Sequence, residues 1–140
     1  MNVLVDTSVW SLALRRRRSP PSGTTAAITR ELELLIRHGR ARLIGPIRQE
    51  LLSGLSDPTQ FTILRDRLRA FPDLPLETAD FEEAAAFANQ CRASGLQGST
   101  VDFLICAIAA RHDLSIFTTD RDFDHFERVL PLRRHAVPST

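Results

Sequence analysis

Apolar residues along this chain follow two rhythms. In one they run together for a few positions, as in Val3-Leu4-Val5, residues 41–44, residues 115–118 and residues 129–132. Short continuous runs bounded by turn residues predict strands buried on both faces of a parallel sheet. A run at 74–76, flanked by Pro72 and interrupted by Pro75, is at best an edge strand. In the other rhythm apolar residues return every three or four positions, which predicts helices. The first spans Thr7–Leu14, with Val9, Trp10 and Ala13 inward. A second starts at a Thr24 or Thr25 cap and runs to His38, with Ile28, Leu32, Leu35 and Ile36 recurring and Gly39 ending it. Pro46 suits the first turn of a third, which stops near Gly54. A fourth begins at Asp57-Pro58 and turns Phe61, Leu64 and Leu68 inward. Thr78 caps a long fifth, with Phe81, Ala84, Ala85, Ala88 and Cys91 on one face. Ser99 caps a sixth, striped by Val101, Leu104, Ile105 and Ile108, and residues 123–127 form a short last one. Strands alternating with helices predict an α/β fold, a parallel sheet covered on both faces. Residues 133–140 read as a loose tail of one domain spanning 1–140.

The polar residues that punctuate this pattern carry the chemistry. The strands at 2–5 and 115–118 both lead into an aspartate, Asp6 and Asp120, and ligands of open α/β sheets bind outside the carboxyl ends of strands. Asp102 falls in the first turn of a helix and Glu50 one turn into another that follows a strand, so both can reach the same edge. Each acid also has a structural explanation. Asp6 and Asp120 can cap helices, Ser99-Thr100-Val101-Asp102 fits a capping box, and Glu50 can be a solvated helix residue. Capping leaves one carboxylate oxygen free, so the two readings are compatible. Converging carboxylates repel by about 4 kcal/mol per close pair at an effective dielectric near 20. A divalent cation held by oxygen ligands is the simplest offset, and Mg²⁺ or Mn²⁺ suits such donors. The reaction class this implies is metal-dependent phosphodiester hydrolysis. Asp122 lies close enough to join the shell, whereas Asp124 is expected to face solvent.

Composition narrows the alternatives. All eighteen basic residues are Arg, and the net charge is only +1. Without Lys, P-loop nucleotide hydrolysis and Schiff-base chemistry are excluded. His38, His112, His125 and His135 lack metal-ligand spacing, and Cys91 and Cys106 read as reduced, buried core residues. Thr7 and Ser8 are expected to cap a helix or hydrogen-bond a water of the acidic centre rather than act as nucleophiles. The run Arg15, Arg16, Arg17 and Arg18 can steer RNA phosphates or be a solvated loop. No stretch approaches the roughly 20 apolar residues of a membrane span. No signal peptide is read at the N-terminus, so a cytoplasmic protein without a membrane partner is expected.

Four segments together resemble a known family: Val5-Asp6-Thr7-Ser8-Val9-Trp10, Pro46-Ile47-Arg48-Gln49-Glu50-Leu51-Leu52-Ser53-Gly54, Asp102-Phe103-Leu104-Ile105-Cys106-Ala107 and Phe117-Thr118-Thr119-Asp120-Arg121-Asp122-Phe123. In order and spacing they are similar to the four acidic motifs of PIN-domain ribonucleases, and most of all to VapC toxins of bacterial toxin–antitoxin pairs. The resemblance implies a three-layer α/β/α PIN fold with a short central parallel sheet and Mg²⁺- or Mn²⁺-dependent RNA cleavage. It makes Asp6 and Asp102 the main metal ligands, with Glu50 and Asp120 completing the acidic centre and Asp122 assisting. It also implies a homodimer, and a hetero-oligomer with a VapB-type antitoxin whose tail enters the acidic groove. The insertion at 15–23 is less typical of that family. Two alternatives stand beside this reading. One is a PIN-like module that binds RNA or protein without turnover. The other is a Toprim-like DNA nuclease, suggested by Asp120-x-Asp122, although that fold expects Glu where Asp6 stands.

Overall fold

The computed structural model describes residues 1–14 and 19–138. Three strands, β1 (Val3–Val5), β2 (Ala41–Arg42) and β3 (Ser115–Phe117), form a parallel sheet in the order β2-β1-β3. β1 is the middle strand and is completely buried, which is why it is an unbroken apolar run. Val3 pairs with Ala41 on one side and Ser115 on the other, and Val5 pairs with Phe117. Among the described residues seven helices accompany the sheet: α1 (Thr7–Leu14), α2 (Gly23–Arg37), α3 (Gly45–Ser53), α4 (Pro58–Leu68), α5 (Thr78–Ala93), α6 (Thr100–Arg111) and α7 (Asp122–Phe126). α1 packs on α2 and α3, and α5 packs on α6, giving the expected α/β/α layers. The Trp10 indole donates to the Val5 carbonyl at 3.1 Å, tying α1 to the central strand.

The edges of the sheet differ from the sequence reading. β2 is two residues long and Leu43 adds only a single bridge to Asp73, so the run at 74–76 is no strand. Arg48 holds that edge by donating to Asp73 at 3.0 Å and to the Leu68 carbonyl at 3.0 Å. The strand expected at 129–132 is a turn. Val129 and Leu130 spend their N–H groups on the Phe126 carbonyl, and Pro131 has none to offer. Leu130 is apolar because it plugs the core, not because it alternates in a strand. The sheet contact comes later, in the segment expected to be loose: Ile116 donates to the Arg133 carbonyl and His135 donates to the Ile116 carbonyl, both at 2.8 Å.

Two helices sit differently from their sequence patterns. α2 begins at Gly23 behind Ser22, ahead of the expected threonine caps. α5 buries Asp80, Ala84, Phe87 and Cys91, a face rotated by one residue from the one predicted, and Phe81 is left 52% exposed. Asp80 decides that rotation, because its carboxylate accepts from Arg111 at 2.8 Å, from the Glu77 N–H at 2.9 Å and contacts His112 at 3.1 Å. On α4 only Leu68 is fully buried, while Phe61 and Leu64 are half-buried.

Candidate metal centre

β1 and β3 run parallel and end side by side, so the residues that follow them meet at one edge. Asp6 continues the ladder by donating its N–H to the Phe117 carbonyl at 2.9 Å, and its own carbonyl opens α1. Its side chain is only 6% exposed. One carboxylate oxygen accepts from the Thr118 hydroxyl at 2.7 Å and from the Ser8 hydroxyl at 2.9 Å. Those hydroxyls in turn accept from the backbone that follows β3, Thr118 from the Asp120 N–H and Ser8, across from β1, from the Thr119 N–H, each at 3.0 Å. Each hydroxyl thus donates to Asp6 and accepts from the turn that delivers Asp120. The two strand ends are laced into one rigid unit, with the second Asp6 oxygen outside this lacing.

Asp120 shapes its own turn, accepting from the Asp122 N–H at 2.9 Å and so starting α7. Asp102 arrives from the third direction, at the N-terminus of α6. The expected capping box is present: Ser99 accepts from the Asp102 N–H and Asp102 accepts from the Ser99 N–H, both at 3.0 Å. One oxygen from each of Asp102, Asp120 and Asp122 falls within 4.8 Å of the other two. Asp102 and Asp120 are half-buried and Asp122 is exposed, so the trio forms a mouth open to solvent.

The electrostatics match the geometry. Burial pushes the Asp102 carboxyl above its ordinary range; its bonds with Ser99 oppose this, and the charges of Asp120 and Asp6 add to it. Asp6 therefore acts on Asp102 through space although it does not join the 4.8 Å group. Glu50 stands outside the trio as well. It is exposed on α3, accepts from the Thr7 hydroxyl at 3.1 Å, and borders the surface that Val101 also lines. The acids expected to converge thus divide into a close trio, a buried neighbour in Asp6 and a rim residue in Glu50. Arg15, Arg16, Arg17 and Arg18 lie outside the described residues. Thr118 was not singled out in the sequence; a hydroxyl two residues before a strand-end acid is the signal that would have found it.

The PIN domain model matches residues 3–129. The chain belongs to the PIN-domain family. This membership displaces the Toprim-like alternative. Ribonuclease VapC11 of Mycobacterium tuberculosis is 32% identical over 133 residues, covering 94% of this chain and 96% of that protein, which places the chain in the VapC branch. FitAcB of Neisseria gonorrhoeae superimposes with a TM-score of 0.73 at 23% identity, covering 95% of this chain and 96% of that one. VapBC2 of Rickettsia felis, solved with a promoter DNA fragment, gives a TM-score of 0.71 at 15% identity over 96% of this chain and 98% of that one. These two likenesses concern the PIN fold itself.

Proposed function

We propose that this PIN-domain chain is a metal-dependent endoribonuclease, the toxin of a VapBC-type pair. One observation carries the proposal: three carboxylate oxygens within 4.8 Å, with the charge of a fourth acid, Asp6, felt by Asp102. The donor set fits a hard divalent cation, since all three groups offer oxygen and the mouth leaves room for water and phosphate. Asp102, Asp120 and Asp122 would hold Mg²⁺, or Mn²⁺ in its place, with Asp6 and Glu50 contributing charge from below and from the rim. Such an ion supplies electrostatic stabilisation to a phosphodiester under attack and makes water a better nucleophile. The protein's own part is positional. The Ser8–Asp6–Thr118 lacing keeps the strand ends from relaxing away from one another when like charges crowd together. The capping box fixes the Asp102 carboxylate against the N-terminus of α6. Glu50, restrained by Thr7, would add negative charge beside the mouth.

The antitoxin half of the reading has its own support. A cavity of about 460 Å³ lies between α1, α3 and α4, with Leu14, Leu51, Ile63 and Leu64 as apolar wall and Glu50 and Arg67 among its charged lining. It fits an apolar peptide segment that presents a basic side chain to the carboxylates. A cytoplasmic homodimer, bound to such an antitoxin, completes the proposal; among the described residues no helix is long and apolar enough to cross a membrane.

The test is cleavage of structured RNA by the purified chain. Products should form with Mg²⁺ and vanish with EDTA, and Asp6→Asn, which keeps an acceptor for the strand-end hydroxyls but removes the charge, should slow cleavage about 100-fold or more. RNA bound but never cut, whatever the metal, would assign the chain to the non-catalytic alternative instead.

A further inference from the structure

The C-terminal segment after Pro131 has no place in the chemistry above, yet it is held more firmly than a tail. Its backbone bridges Ile116 in β3. Each of three successive side chains then reaches an acid on a different part of the fold. Arg133 pairs with Asp113 before β3, Arg134 donates to Asp124 of α7 at 2.9 Å, and His135 contacts Glu31 of α2 at 3.3 Å. Of the three, Arg134 touches the element that carries a member of the acidic trio.

We propose that Arg134 is a positioning residue of the acidic centre, bracing α7 through Asp124 so that Asp122 keeps its distance from Asp102 and Asp120. The inference rests on the metal-centre reading above. α7 is five residues long, too short to be stable on its own propensity. On its inner side Phe123 and Phe126 anchor it in the core. On its outer side the described side-chain tie is the Arg134–Asp124 pair, with Arg134 only 23% exposed. The pair closes a mechanical loop: β3 leads into Asp120, the turn leads into α7, α7 is gripped by Arg134, and the backbone of Arg134 returns to Ile116. The acids of the trio that follow β3 are therefore fixed relative to that strand from both ends of their segment. Arg134 also neutralises Asp124, a carboxylate two residues from Asp122 that stays outside the trio.

Arg134→Ala, Arg134→Lys and Asp124→Asn would be compared with the unaltered chain by calorimetric Mn²⁺ titration, by melting without metal, and by RNA cleavage against Mg²⁺ concentration. Charge alone would tighten Mn²⁺ binding in Arg134→Ala and weaken it in Asp124→Asn, whereas loss of the brace should raise the half-saturating Mn²⁺ concentration in both by about three- to tenfold, short of the roughly 10- to 100-fold seen for groups bonded directly to a ligand; tighter binding by Arg134→Ala would overturn the proposal. Arg134→Lys should recover part of the loss. Cleavage at saturating Mg²⁺ should return close to the unaltered rate. A lowered metal-free melting temperature with unchanged Mn²⁺ affinity would overturn the proposal, leaving Arg134 as a merely structural residue. Unaltered affinity in Asp124→Asn would overturn it equally. Failure of the unaltered chain itself to bind Mn²⁺ would reject the metal centre, and the brace with it.

Discussion

A carboxylate taken out of water costs several kcal/mol unless it is paired and hydrogen-bonded, and Asp80 has no exposed surface at all. Burial works against its ionisation, but the Glu77 N–H, Arg111 and His112 outweigh it and hold the carboxyl below its ordinary range. Asp80 is thus charged at neutral pH and locks the start of α5 to the end of α6. Because its folded-state acidity is stronger than in the unfolded chain, its contribution is fully present above the unfolded value near pH 3.9. That contribution is lost as pH falls through the lower folded value. Asp80→Ala should cost about 2–3 kcal/mol near neutral pH, since Arg111 and His112 are about a third exposed, at 33% and 36%, and can be rehydrated. Urea unfolding from pH 7 to pH 3 should show the two proteins converging at the acid end. None of this was legible in the sequence. Asp80 drew no reading there, because Arg111 and His112 are 31 and 32 residues away. The Ser99–Asp102 box, by contrast, was readable because donor and acceptor are three residues apart.

At the scale of elements, the passage into α6 governs where Asp102 points. Gly98 stands one residue before the Ser99 cap, and a Cβ there would lie 2.6 Å from Phe126 and 3.0 Å from Phe103. Those two rings pack against each other with centroids 5.1 Å apart, so neither can move without disturbing α6 or α7. Gly98→Ala should destabilise the fold by about 1–3 kcal/mol, measured by denaturant unfolding, with wild-type-like stability contradicting the close approach. The apolar periodicity located all seven helices because each buries a face of its own. It misjudged the face of α5, since a pattern scored on apolar residues cannot anticipate a buried aspartate displacing Phe81. It also placed the last sheet contact at 129–132, where the apolar residues are, and not at Arg134, whose backbone bridges the sheet while its side chain serves α7.

The whole molecule turns a topological fact into chemistry. Parallel strands end at the same edge, so Asp6 and Asp120, 114 positions apart in the numbering of the chain, are brought to one edge by the β1–β3 pairing. α6 adds Asp102 through its N-terminus, and α3 sets Glu50 at the rim. The meeting of Asp102 and Asp120 was legible in the sequence because strand ends and helix starts are local signals and the edge rule supplies the rest, whereas Asp6 and Glu50, expected to converge with them, stay outside the 4.8 Å trio. The division of labour within it was not, because 4.8 Å spacing depends on hydroxyl lacing by Ser8 and Thr118 and on the turn made by Asp120 itself. The central claim is that folding concentrates carboxylates into a single cation-holding mouth. It is tested most directly by calorimetric titration of Mn²⁺ into the unaltered chain and into Asp102→Asn, which keeps a cap acceptor but removes the charge. Saturable binding that weakens at least about tenfold in the variant is the predicted result; no binding, or equal binding by both proteins, would contradict it.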